Sequence, residues 1–475
     1  MLDYTATYTD QYELTMAEVY FQSGVGNKRA IFDYFFRKLP YKGGYAVFSG
    51  VEDLLTILEK LRFDNRDLEY LRRQGFDEDF LTYLESFRFT GTLYSCREGE
   101  IVFPVEPIVI VEAPIIEAQI VETLLLNILN FQTLIATKAA RMRHEAGDRV
   151  LVDFGLRRAQ GAGGYYATRA AVTGGFDATS NVRAGRDFQI PIAGTMAHSL
   201  IQSYDSELQA FRDFAAYRPN DCVLLVDTYD TIKSGLPNAI IVGREMKERG
   251  ESLKGIRLDS GDLAWLAKKA RRMLDDAGLD EVKITASNQL DETVIRSLID
   301  QGAPIDIFGV GTRLVTGHPD GALDGVYKLA YANDKPRIKL SENVQKINLP
   351  GKKQVLRMTD EDETFFGADV IIKNEEEDAA LMHHPTVSGK SLEIGNLKKE
   401  PLLNCVMESG SRLEKPLNLA EIAGYNRRRM ERLPEEYKRM VNPHQYKIGL
   451  SSDLKSERDQ LVEQLKMAPK EDPVG

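Results

Sequence analysis

Hydrophobic positions along this chain follow more than one period, and the period changes twice. From Ile115 to Ala146 there is neither glycine nor proline, and the stretch reads as one long helix. Before it, a helix is predicted over Tyr12 to Phe21, the aromatic runs "AIFDYFFRKL" and "GYAVFSG" read as strands, and amphipathic helices follow. From Arg149 the pattern becomes short β-rich runs, many followed by helical stretches. The runs are "DRVLVDFG", "ATSNVRAG", "IPIAGTMAH", "CVLLVDTYD", "LKGIRLDSGD", "VKITASNQLD", "IDIFGVGT" and "GVYKLAY". After His198, apolar residues recur at Ile201, Tyr204, Leu208, Phe211 and Ala215. After Asp262 they recur at Leu263, Leu266, Ala270 and Leu274. Steps of three and four residues are those of a helix face.

Repeated strand–helix units imply an α/β fold with a parallel sheet, and the number of runs favours a (β/α) barrel, whole or incomplete, over an open sheet. Continuous apolar runs such as Val223 to Val226 suit strands covered on both faces. Beyond Asp334, "RIKLSENVQKINLPGKKQVLRM" alternates around Pro350-Gly351 and predicts a β-hairpin. Charged helices follow, then a tail, "MAPKEDPVG", expected to be disordered. These changes divide the chain into 1–113, 114–334 and 335–475.

Length alone allows roughly two to four domains. The net charge of −11 excludes a non-specific nucleic-acid binder, which needs a basic footprint. Cys96, Cys222 and Cys405 lie far apart without a CxxC pair, so no zinc site is expected and a reducing compartment fits. The N-terminus lacks the apolar core of a secretory signal. The most apolar region, Ile101 to Leu129, is interrupted by Glu106, Glu112, Glu117 and Glu122, which a membrane span would not tolerate. The expectation is a cytoplasmic protein with no membrane partner.

Polar residues and glycines collect where the predicted strands end: Asp153 to Arg157, Asp177, Thr195 and His198, Asp227 and Asp230, Arg257 and Asp259, and Gly309 to Thr312. In parallel α/β folds these ends converge on the active site, although any single one can be a helix cap. The glycines of "IFGVGTR" suit close approach of backbone N–H groups to a phosphate, or simply a tight turn. Arg257 and Asp259 alternate on one strand and can face one pocket, as an anion-and-Mg²⁺ site or as a structural ion pair. For His198, no HxH or HExxH spacing supports a metal site. A packed core histidine, a general base and a covalent acceptor remain.

Taken in order, "TDQYELTM", "FDYFFRKLPYKGGYAVFSG", "DFGLRRAQG", "GGFDATSN", "GTMAHS", "GIRLDSGDL" and "FGVGTRLVTG…GVYKL" closely resemble the bacterial nicotinate phosphoribosyltransferase family, from about Tyr8 to at least Met358. The resemblance implies a type II phosphoribosyltransferase: an irregular (β/α) barrel flanked by a mixed α/β domain built from the N- and C-terminal segments. It implies that nicotinate and phosphoribosyl pyrophosphate, coupled to ATP hydrolysis, give nicotinate mononucleotide and pyrophosphate, the entry of nicotinic acid into NAD salvage. It implies a homodimer with a shared active site.

By the same resemblance, His198 matches the histidine that ATP phosphorylates and Phe154 an aromatic that stacks on the pyridine ring. Tyr12 matches a tyrosine supplied by the other subunit. Arg157, Thr195 and Arg257 match residues around the nicotinate carboxylate and ribose phosphates. Asp259 matches a carboxylate near the ribose and Mg²⁺, and Gly311 and Thr312 match the 5′-phosphate loop. Asp177 and Asp227 are further substrate-binding candidates. The rivals are a nicotinamide phosphoribosyltransferase, a quinolinate phosphoribosyltransferase (whose chains are much shorter and lack this histidine motif), a phosphate-binding barrel isomerase or aldolase, and a non-enzymatic nucleotide sensor.

Overall fold

The computed structural model describes residues 4–340 and 348–467. It divides into two compact units, one made of the residues up to Leu134 and from Ala322, the other of Ile135–Gly321. These divisions, at 134/135 and 321/322, differ from those expected at 113/114 and 334/335.

The unit over Ile135–Gly321 carries the strand–helix repeats. Its strands are β1 (Val150–Asp153), β2 (Ala178–Thr179), β3 (Val223–Leu225), β4 (Gly255–Leu258), β5 (Lys283–Ser287) and β6 (Ile307–Val310). They form one parallel sheet in the order β2-β1-β6-β5-β4-β3. Its register sets Asp153 beside both Thr179 and Val310, and Ser287 beside Gly309, so the C-terminal ends line up along one side. Helices cover the strands with the faces read from sequence. In Leu263–Asp276, Leu266, Ala270 and Leu274 are buried, and Asp262 caps the first turn by accepting the Trp265 N–H at 3.0 Å.

Three of the expected strand runs behave differently. "IPIAGTMAH" forms no strand and makes a single parallel bridge, Ile192 beside Thr179. Pro191 has no N–H to give a ladder, and β2 is only two residues long. In "ATSNVRAG" the strand stops at Thr179, because Asn181 accepts the Ala184 N–H and starts a helix over Val182–Phe188. "GVYKLAY" lies outside the parallel sheet altogether. Gly325–Ala332 pairs antiparallel with Arg29–Phe36, where Tyr327 stacks on Phe32 with centroids 4.7 Å apart.

That antiparallel pair sits inside a seven-stranded sheet of the other unit. In it Arg29–Phe36 also pairs with Val109–Pro114, which pairs with Thr92–Ser95, which pairs with Asn404–Glu408. N- and C-terminal segments thus share one sheet. They are joined again by buried charges: Arg357 reaches Glu100 at 2.6 Å and Asp369 at 2.7 Å, and Arg429 reaches Glu100 at 2.8 Å.

The long helix is broken at Val121 into Ile115–Ile120 and Glu122–Ala146. Two side chains take carbonyls at the break: Tyr327 Oη donates to Ala118 O at 2.9 Å and Thr9 Oγ1 to Ile120 O at 3.2 Å. The helical stretch after His198 is likewise two helices, His198–Gln202 and Glu207–Tyr217, the second capped by Ser206. The hairpin expected around Pro350-Gly351 is replaced by another pairing, in which Lys353–Thr359 lies antiparallel to Phe365–Lys373. Buried Lys353 gathers the Leu349 and Pro350 carbonyls at 3.2 and 3.3 Å while pairing with Asp33 at 2.9 Å, so the turn wraps a side chain. Residues 341–347 of that segment, and all of the tail after Met467, lie outside the described residues. No helix among the described residues is long and apolar enough to cross a membrane.

Candidate active site

The strand ends of the parallel sheet bring together most of the residues singled out from the sequence. At the end of β1, Phe154 donates its N–H to Val310 O at 2.7 Å, which ties the turn to β6. Its ring lies against Gly309, where an added Cβ would come within 2.5 Å of ring Cδ2. Gly155 is equally constrained: a Cβ there would sit 3.0 Å from both Asp153 Oδ1 and Val315 Cβ. Glycine at these two positions is a matter of room for the turn and the ring.

Arg257, on β4, is the hub of the polar groups. Its Nη1 donates to Thr195 Oγ1 at 2.9 Å and to Met196 O at 3.2 Å, and its Nε donates to Ser287 Oγ at 3.0 Å. Its Nη2 lies 3.3 Å from Asp259 Oδ1, which also accepts from Ser287 Oγ at 2.5 Å. The guanidinium carbon is 5.8 Å from the centroid of the Phe154 ring. A planar aromatic ring and a fixed cation therefore stand together at the strand ends, an arrangement suited to a flat ring bearing a negative charge.

Asp227 follows β3. Its Oδ2 accepts from the Asp259 N–H at 2.8 Å and from Ser260 Oγ at 2.7 Å, while its Oδ1 is buried with no hydrogen-bond partner among the described residues. His198 is the first residue of its short helix, as its spacing predicted. Its Nδ1 is 3.1 Å from Thr228 Oγ1 and its Nε2 is 3.8 Å from Asp259 Oδ2. The ring is half-buried, so it is neither packed in the core nor free of its neighbours.

Other candidates are placed differently. Asp177 is at the opposite end of the sheet, where its Oδ2 accepts the Leu151 N–H at 2.8 Å and pairs with Arg143. It fastens the start of β1 and takes no part in the cluster. Arg157 is exposed on the turn after β1, with no side-chain hydrogen bond among the described residues. Gly311 and Thr312 follow β6 and open a single helical turn, Thr312–Val315. Tyr12 belongs to the other unit, exposed on the helix Gln11–Gln22.

Two members of the cluster, Ser287 and Thr228, escaped the sequence reading. Each stands where a β-rich run ends, in "ITASN" and "VDTYD", but nothing in the one-dimensional pattern pairs a serine with an arginine thirty positions earlier. Asp153 was visible as a strand end, but its hydroxyl partners Thr168 and Thr179 were not. Burial pushes the Asp153 carboxyl above its usual range.

Comparison with known proteins places this geometry in a family. Profiles of nicotinate phosphoribosyltransferase match in three pieces: its N-terminal domain over residues 7–130, the family profile over 150–364 and its C-terminal domain over 352–458. The nicotinate phosphoribosyltransferase of Bacillus subtilis is 45% identical over 98% of this chain and 96% of that protein. The chain belongs to the nicotinate phosphoribosyltransferase family. Another member, from Mycobacterium tuberculosis, is 39% identical over 95% of the chain and 93% of its own length. The crystal structure of human nicotinic acid phosphoribosyltransferase superposes with a TM-score of 0.86 at 29% identity, covering 95% of this chain and 99% of that one. Against that family the cluster of Phe154, Thr195, His198, Asp227, Arg257 and Asp259 falls in the central matched segment, and Tyr12 in the N-terminal one.

Proposed function

We propose that this protein transfers the phosphoribosyl group of phosphoribosyl pyrophosphate to nicotinate, giving nicotinate mononucleotide and pyrophosphate in NAD salvage, with ATP hydrolysis coupled through phosphorylation of His198. The observation that carries this reading is the Phe154 ring beside the Arg257 guanidinium at the strand ends, 5.8 Å apart. Nicotinate is a flat ring with a carboxylate, and these two groups answer to those two features.

The bond to be broken joins C1 of the ribose to the pyrophosphate oxygen, and the bond to be made joins C1 to the pyridine nitrogen. That nitrogen already carries a free lone pair, so no base is needed to remove a proton. Orientation of the ring and stabilisation of charge are what the site must supply. Stacking on Phe154 aims the nitrogen. Asp259, held by Ser287 and Arg257, offers negative charge to the oxocarbenium-like sugar, and Arg257 with Arg157 and the Gly311–Thr312 turn receive phosphate oxygens. The family resemblance makes His198 the phosphoryl acceptor: a ring nitrogen takes the γ-phosphoryl group and ADP leaves.

Mg²⁺ fits the residues present. It would be held by Asp227 and Asp259 together with substrate phosphates: among the described residues, Asp227 Oδ1 is buried without a hydrogen-bond partner beside Asp259. When bound it would neutralise the pyrophosphate leaving group. We further read the parallel sheet as an irregular (β/α) barrel completed by the 190–196 segment. The active unit is a homodimer in which exposed Tyr12 is offered to the partner's site, and the setting is the cytoplasm, in keeping with three free cysteines.

The test is turnover of purified protein with phosphoribosyl pyrophosphate, Mg²⁺ and either nicotinate or nicotinamide, with and without ATP. Nicotinate mononucleotide formation stimulated by ATP is expected. Product from nicotinamide alone would overturn the choice of base. With γ-labelled ATP, acid-labile label is expected on the wild type and absent from His198→Ala; equal labelling would remove His198 from its role.

A further inference from the structure

Asp153 stands directly before Phe154, and no step above uses it. The residue is 1% exposed, and its side chain has no ion-pair partner among the described residues. Burying an ionisable group without a counter-charge is costly, and an apolar residue would fill a strand end at lower cost. What the carboxylate does instead is collect three donors. Oδ1 accepts the Gly155 N–H at 2.8 Å; Oδ2 accepts Thr168 Oγ1 at 2.6 Å and Thr179 Oγ1 at 3.0 Å.

Those donors come from the turn itself, from the helix Gly163–Thr173 and from β2, so one side chain ties three elements together. The backbone adds to the clamp, since the Ser180 N–H donates to Asp153 O at 2.8 Å. Phe154 is therefore gripped on both sides: its own N–H is bound to β6, and the next N–H is bound to Asp153. A full set of acceptors for three converging donors is what an ionised carboxylate has and an apolar residue lacks.

We infer that Asp153 is a positioning residue for the aromatic platform, its carboxylate fixing the Phe154–Gly155 turn so that the ring face meets the pyridine ring. The inference rests on the nicotinate phosphoribosyltransferase reading above. No hydrogen bond or ion pair among the described residues joins the Asp153 side chain to His198, Asp227, Arg257 or Asp259. Loosening the clamp thus acts on the base and leaves His198, Asp227, Arg257 and Asp259 in place.

The experiment compares wild type with Asp153→Ala, Asp153→Asn and Thr168→Val for the KM of nicotinate, the KM of phosphoribosyl pyrophosphate and ATP-dependent labelling of His198. In Asp153→Ala the nicotinate KM should rise about tenfold or more, with the phosphoribosyl pyrophosphate KM within about twofold of wild type and labelling retained. Asp153→Asn, which keeps an acceptor for the Gly155 N–H, should recover most of the loss. Should Asp153→Ala fail to fold, Thr168→Val decides, with a selective rise in nicotinate KM expected. A nicotinate KM unchanged in the folded variants, or both KM values rising together, overturns the inference while wild-type turnover stands. Absence of wild-type turnover overturns the functional reading and this inference with it.

Discussion

Replacing Gly309 by alanine tests the platform from the opposite side. The added methyl would lie 2.5 Å from Cδ2 of the Phe154 ring, and ordinary carbon–carbon contact begins near 3.4 Å. The ring must therefore retreat by about 1 Å, because the strand cannot: Gly309 is laddered to Ser287 on one side and Val152 on the other. A displacement of about 1 Å of a positioning group costs up to about 100-fold in rate, and overpacking costs about 1–3 kcal/mol of stability. We expect Gly309→Ala to lower kcat/KM for nicotinate by about 10- to 100-fold, or about 1.4–2.7 kcal/mol of transition-state stabilisation. The assay is initial rates with nicotinate varied at saturating phosphoribosyl pyrophosphate, alongside the reverse series. In a Phe154→Ala background the methyl has no ring to displace, so Gly309→Ala should add less than about twofold, making the pair strongly non-additive. An unchanged nicotinate kcat/KM in Gly309→Ala, or costs that simply add in the double variant, would refute the claim that Gly309 makes room for the ring.

Other contacts carry further expected outcomes. Ser287→Ala removes the hydroxyl shared by Arg257 and Asp259; loss of a hydrogen bond to charged groups is worth about 1.5–3 kcal/mol, so kcat should fall about 10- to 100-fold with little change in melting temperature. Arg357→Met leaves Glu100 and Asp369 buried without their shared cation, and should destabilise the protein by about 3–5 kcal/mol in urea titrations. Glu13 is fully buried. Burial, then the Glu122 charge, pushes its carboxyl from an ordinary 4.5 up to about 7. The unfolded chain releases that proton first, so stability falls as pH rises from 4.5 to 7 and levels off above. Glu13→Gln should remove that decline and gain up to about 3 kcal/mol at alkaline pH; parallel stability–pH curves for the two proteins would contradict this.

Much of the parallel-sheet unit was legible because its signals are local. Strands covered on both faces read as apolar runs, and the helices between them carry their buried residues at three- and four-residue steps. Glycines and the helix cap Asp262 mark where elements end, whereas the cap Asn181 lay hidden inside a run read as a strand. The errors arose where pairing is non-local. "GVYKLAY" looks like one more strand of the repeat, and only its partner, 29–36, shows otherwise. Lys353 turns an alternating segment into a wrap around its own ammonium because Asp33, far away in the chain, is there to pair with it.

The same division runs through the site. The order of the strand–helix units, the chemical types at their ends and, through a string of motifs, the family can all be read along the chain. Which of those residues meet was settled in three dimensions. It sent Asp177 to the far end of the sheet, placed Ser287 between Arg257 and Asp259, and closed Thr168 and Thr179 around Asp153. The physical reason is that composition and periodicity report a residue's own surroundings along the chain, whereas a hydrogen bond between strand ends depends on sheet register. Register is a property of the assembled sheet.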